Sequence, residues 1–148
     1  MTTNTSDKCI EICNSLLRGE RSAVETYRKA IEKHGDKPEI QQLRRILGEH
    51  QLAVTRLEKN VRNMDGTPDA DSGTWGTLAN AVQSAANLLG ANSAVESLIQ
   101  GEQHGVRSYQ DALADKDMMA DCKDMVRDDL LPNTEKHILA LEEIQLSV

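Results

Sequence analysis

Hydrophobic residues recur along this chain at helical spacing in four long stretches, and no stretch alternates as a strand would. The first stretch runs from about Asp7 to Lys33, with Thr5 or Ser6 as its cap and Gly35 as its stop. The second begins at Pro38, which suits a first helical turn, and ends near the turn Met64-Asp65-Gly66. The third spans about Ala91 or Asn92 to Ala114. The fourth covers roughly Met118 to Leu146 with Pro132 inside it, where a missing backbone donor and a crowded preceding turn predict a kink. Only a few residues separate the first helix from the second, and the third from the fourth, so each pair should form an antiparallel hairpin. The 25 residues GTPDADSGTWGTLANAVQSAANLLG lie between the pairs. They open as a polar turn, read as a short helix from about Thr77 to Leu88, and are long enough to run the length of a bundle. The expected fold is an all-α four-helix bundle forming one domain over residues 1–148, with halves at about 7–64 and 91–146.

The halves echo one another. SLLRGERSAVETYRKAI (15–31) aligns with SLIQGEQHGVRSYQDAL (97–113), and seven of the 17 positions are identical. Helices share Leu and Ala by chance, but Gly19-Glu20 with Tyr27 set against Gly101-Glu102 with Tyr109 is a rarer coincidence. The two hairpins read as copies related by a pseudo-twofold axis.

At about 100° per residue, Cys9, Cys13, Leu16, Leu17, Val24, Tyr27 and Ile31 share an arc with Glu20. Ala91, Val95, Leu98, Ile99, Val106, Tyr109 and Leu113 share one with Glu102. Both carboxylates therefore point into the bundle. Burying a charge is costly unless it is paired, protonated or bound to a metal, and two facing carboxylates repel. The compensating groups come from the other two helices. His50 is centred on the stripe Leu43, Ile46, Leu47, Val54, Leu57 and Val61, and His137 on the stripe Met119, Val126, Leu130, Leu141 and Ile144. His104 falls opposite Glu102 on the outer face, and His34 at a helix end. Each helix thus sends one ligand-capable side chain inward: Glu20, His50, Glu102 and His137. Imidazole and carboxylate together suit Zn, Fe or Mn.

Composition narrows the picture. With no Phe, two Tyr and one Trp, the core must be built from aliphatic side chains, as helix bundles are. A net charge of −7 argues against nucleic-acid binding, which needs basic patches to neutralise phosphates. No apolar run approaches the about 18–20 residues of a membrane span, and the polar start MTTNTSDK lacks the apolar segment of a signal peptide. Three cysteines, an odd number, suggest reduced thiols in a cytoplasm. Cys9 and Cys13 lie one turn apart on a buried face, and Cys122 on the buried stripe of the fourth helix, which should place it near Cys9. They are expected to act as packing, ahead of a redox switch or a metal clip. Trp75 is expected to anchor the crossover, and Asp121, Asp124, Asp128 and Asp129 to form a solvated face. A homodimer is a natural assembly for such a bundle.

The copies LLRGE-x6-Y and LIQGE-x6-Y, with the crossover connectivity, resemble the bacterial ferritin-like four-helix-bundle domains of unknown function, a group that includes YciF-like stress-associated proteins. The resemblance spans residues 7–146. It implies a bundle related to the rubrerythrin and ferritin di-iron proteins, in which two helices give one Glu each and two give a Glu-x-x-His pair. Glu20 and Glu102 match the single-Glu positions. With Leu57 aligned to Leu141, however, Thr134 stands where the bridging Glu before His137 belongs. On the second helix His50 occupies the Glu slot and Ala53 the His slot. Glu49 falls about 100° from its stripe centre, and Glu135 faces away from His137. Both bridging carboxylates are missing, so the di-iron site reads as degenerate and ferroxidase chemistry is not carried over. Three readings follow. The first is a non-catalytic, stress-associated protein with a hydrogen-bonded polar core of Glu20, Glu102, His50 and His137, to which Tyr27 and Tyr109 donate. The second is a mononuclear site in which the same four side chains hold one Zn or Fe. A di-iron oxidase or peroxidase comes last.

Overall fold

A computed structural model describes residues 5–34, 38–70 and 91–147, and all regular elements among them are helical. Helix α1 is Thr5–His34, α2 is Ile40–Asn63 and α3 is Ala91–Ala114. Helix α4 (120–147) has three segments: Ala120–Met125, a π-helical turn Val126–Leu130, and Leu131–Ser147. Pro38 stands just outside α2 rather than in its first turn, its carbonyl accepting from the Gln41 amide at 3.5 Å. None of the helices among the described residues is long and apolar enough to cross a membrane.

Packing follows the expected connectivity. Helix α1 lies against α2, α3 against α4, and α1 also against α3. One apolar cluster joins Cys9, Cys13 and Leu17 of α1 to Leu57 and Val61 of α2, Ala112 of α3, and Cys122 and Val126 of α4. A second joins Tyr27, Leu43, Ile46, Val95, Leu98, Leu141 and Ile144. The start of α1, the end of α2, the end of α3 and the start of α4 therefore share one end of the bundle, and α2 ends at the opposite end from where α3 begins. Two antiparallel hairpins with α1 and α4 parallel is the arrangement that the link lengths demand. Residues 66–70 begin the return along α1: Asn14 Nδ2 donates to the Thr67 carbonyl at 3.1 Å, and Arg18 and Arg21 both hold Asp69. Trp75 and the expected short helix at Thr77–Leu88 lie outside the described residues.

The irregularity expected at Pro132 takes the form of the π turn that precedes it. The Leu131 amide reaches back five residues to the Val126 carbonyl. In an α-helix each step of four residues overshoots a face by about 40°. The buried residues Cys122, Val126, Leu130 and Thr134 are spaced by three such steps and would wander off the core. One wider π turn absorbs the drift and returns His137 and Leu141 to the interior. Met119 departs from its expected place. It is the extended residue before α4 and is 40% exposed, while Met118 takes the buried position.

Candidate metal centre

Between the two apolar clusters the core is ionic. Glu20, His50, Glu102 and His137, one from each helix, are all buried. They do not face one another as two repelling carboxylates. His50 stands between the two acids: Nδ1 lies 2.8 and 3.0 Å from the Glu20 oxygens, and Nε2 lies 2.7 Å from Glu102 Oε2. Both ring nitrogens can donate only if the imidazole carries two protons. Burial alone would lower its pKa, but the charges of Glu102 and Glu20 and their hydrogen bonds outweigh burial and raise it well above the usual histidine value. Burial likewise works to raise Glu102, and the charge of His50 with hydrogen bonds from His137 and His50 holds it down to about 2.

His137 repeats the arrangement on the other side. Its Nδ1 lies 3.3 Å from Glu102 Oε1, and its Nε2 lies 2.6 Å from Glu49 Oε1. The result is one chain of alternating acid and base, Glu20–His50–Glu102–His137–Glu49. Arg45 Nη1 extends it to the surface at 3.2 Å from Glu49. Tyr27 donates to Glu102 Oε2 at 2.5 Å, and burial, then the charge of Glu102 and this bond, push its phenol up. Glu49 is the member that sequence reasoning missed. Its offset of about 100° from the stripe takes it out of the α2 core face, but toward α4 and His137 rather than to open solvent.

Within this chain the nitrogens and oxygens of His50, Glu102 and His137 come within 4.8 Å of one another, as those of a metal site do. Glu20 is not in that group, because it takes the far nitrogen of His50. The di-iron pattern does not fit. Thr134, in the place of a bridging Glu, donates its hydroxyl to the Leu130 carbonyl at 2.8 Å, and Ala53 offers no donor at all.

A cavity of about 110 Å³ adjoins the centre, lined by Glu20, His50, Glu102, Tyr109 and Thr134, with Arg18 and His104 also on its wall. His104, expected on the outer face, is half-buried there. Tyr109 Oη is buried with no hydrogen-bond partner among the described atoms, although the pseudo-symmetric Tyr27 has one. Burial and the nearby charge of Glu20 raise the Tyr109 phenol, yet no bond of ordinary length closes between them. A water needs about 10–15 Å³ of such space, so the cavity has room for several.

A family model described as "Domain of unknown function (DUF2383)" matches residues 8–115. The match contains Glu20, Glu49, His50 and Glu102 and stops short of His137. No curated protein and no solved structure matches the chain significantly.

Proposed function

Because the chain belongs to the DUF2383 family of domains of unknown function, we propose a role from its geometry: it is a mononuclear metal-binding protein, with Zn(II) or Fe(II) held by His50 Nε2, His137 Nδ1 and Glu102. One observation carries the reading. The two histidines present one nitrogen each to Glu102, and the other nitrogen of each is gripped by a separate carboxylate, Glu20 for His50 and Glu49 for His137. Carboxylates behind metal-bound histidines fix the tautomer and strengthen the ligand. Glu20 is thus an orienting group, and the four-ligand set suggested by helical position becomes three ligands with two supports. Donors about 2.0–2.1 Å from a tetrahedral ion stand about 3.3 Å apart, the separation of His137 Nδ1 from Glu102 Oε1. His50 Nε2 and Glu102 Oε2, now joined through a proton, would open by about 0.6 Å as the ion replaced that proton.

A second reading, the metal-free polar core, is favoured by the completeness of the network, since each imidazole nitrogen already meets an acid. Co(II) separates the two. Binding at the centre should give d–d bands without sulfur-to-cobalt charge transfer, lost in Glu102→Gln and weakened about 10–100-fold in Glu20→Gln. A chain that binds no Co(II), Zn(II) or Fe(II), or binds them unchanged in Glu102→Gln, leaves the polar core as the function of these residues. The wider kinship with stress-associated ferritin-like proteins and the reduced, cytoplasmic setting belong to the same proposal.

A further inference from the structure

A second cluster of ligand-type groups lies at the end of the bundle where α1 and α4 begin, apart from the His–Glu centre. Cys9 and Cys13, one turn apart on α1, meet Cys122 of α4. The Sγ–Sγ distances from Cys122 are 3.3 Å to Cys9 and 3.7 Å to Cys13, and all three thiol sulfurs lie within 4.8 Å of one another. The Met118 thioether is 3.9 Å from Cys9 Sγ. The nearness of Cys122 to Cys9 is as the helix order predicts, but three features exceed what packing thiols need.

First, every thiol sulfur receives an N–H. Asn60 Nδ2 donates to Cys122 Sγ at 2.8 Å and to Cys13 Sγ at 3.4 Å, and the Met119 amide donates to Cys9 Sγ at 3.5 Å. A neutral thiol is a weak acceptor, whereas a metal-bound thiolate is steadied by such donors. Second, sulfurs about 2.3 Å from a tetrahedral ion stand about 3.8 Å apart, a value within the range of the observed separations of 3.3, 3.7 and 3.9 Å. Third, the cluster is soft throughout. Met118 sets a thioether beside Cys9, Met64 and Met125 pack against the same cluster, and among the described residues neither an imidazole nor a carboxylate converges with the thiols.

We propose that Cys9, Cys13, Cys122 and Met118 form a binding site for a soft monovalent metal ion, Cu(I). Thiolate donors alone would suit zinc as well as copper, and the thioether tips the set toward Cu(I). On binding, the ion takes the place of thiol protons, which pass to solvent; no electron is transferred. The site is independent of the His–Glu centre and does not rest on the metal proposed there.

The test is an anaerobic titration of the reduced full-length chain with Cu(I) supplied as its bicinchoninate complex. The chain should withdraw about one equivalent and develop thiolate-to-copper charge-transfer absorption in the ultraviolet. Cys122→Ser should abolish both signals. Asn60→Leu, which keeps all four sulfurs, should weaken binding about 10–100-fold. Excess Zn(II) should fail to displace the copper. Cu(I) left on the chelator overturns the proposal, as does Cu(I) retained unchanged by Cys122→Ser, or its displacement by zinc. If Cys122→Ser loses its helical circular dichroism, Met118→Leu, which conserves volume, decides the matter: undiminished affinity there overturns the four-donor site.

Discussion

At the centre of the bundle the charge of Glu102 is answered by an imidazole on either side, and each imidazole by a further carboxylate. At the cysteine end Cys9, Cys13 and Cys122 are surrounded by Leu16, Leu17, Leu57, Val61 and Val126, and the polar contacts to their sulfurs come from an amide side chain and a backbone N–H. The difference is one of cost. A buried carboxylate is tolerated only while its partners stay in place, whereas a thiol can be buried as a small hydrophobe. The centre is therefore intolerant of losing any one member. The cysteine end can lose one and still be a core.

The largest expected effect follows directly. Glu102→Leu leaves His50 Nε2, His137 Nδ1 and Tyr27 Oη without their acceptor, and should cost about 3–5 kcal/mol. Cys122→Ala removes one buried sulfur and should cost about 1–2 kcal/mol. Urea midpoints of the two variants, measured with a chelator present, make the comparison. Equal losses would mean that the centre is no more dependent on its partners than the cysteine end.

The pH dependence of the chelated protein comes next, and its two limbs have opposite origins. Glu102 titrates near 2 when folded and near 4.3 when unfolded, so its stabilisation is whole above about pH 4.3 and lost as pH falls toward 2. The shift corresponds to about 3 kcal/mol, shared with the histidines it faces. His50 is shifted the other way. Its stabilisation is whole below its unfolded pKa of about 6.5 and is lost as pH rises through its raised folded value. Urea midpoints should form a plateau that falls on both sides, and His50→Gln should flatten the alkaline limb. An alkaline limb unchanged by that substitution would show that His50 is not held charged between Glu20 and Glu102.

These effects depend on features that the sequence exposes to different degrees. Helical periodicity and two short links were enough to give four helices and their connectivity, because burial imposes the period and link length imposes the pairing. The inward direction of Glu20, His50, Glu102 and His137 followed from the same angle counting. What angle counting could not see is which group on a neighbouring helix a side chain meets. It set Glu49 aside, although a flank position at a helix–helix seam is where His137 could be reached. It put Met119 in the core, because the start of α4 is fixed by an extended residue rather than by hydrophobicity. It placed Cys122 near Cys9 but took the thiols as packing, and their convergence with Asn60 needs three helices in place at once.

The most local expected effects test the cysteine end on its own terms, at the close of α2. The Gly66 amide bonds the Val61 carbonyl at 2.9 Å and the Asp65 amide bonds the Arg62 carbonyl at 3.0 Å, the paired bonds of a Schellman ending. Such an ending needs a left-handed residue. Here it is Asp65, at φ 65°, and not the adjacent glycine. Gly66 is needed for space instead: a Cβ there would come within 2.8 Å of Ile10 Cγ2 and 3.0 Å of Val61 Cγ1. Two neighbouring substitutions should therefore act in opposite directions. Asp65→Gly relieves a side chain held in the left-handed region and should stabilise by up to about 1 kcal/mol. Gly66→Ala must push Ile10 or Val61 aside in a packed cluster and should destabilise by about 1–3 kcal/mol. Because Gly66→Ala acts through packing alone, its size should hold across the pH range in which the centre titrates. A penalty for Gly66→Ala that grew or vanished with pH would mean that the ionic centre and the cysteine end are coupled, and the contrast between them would have to be given up.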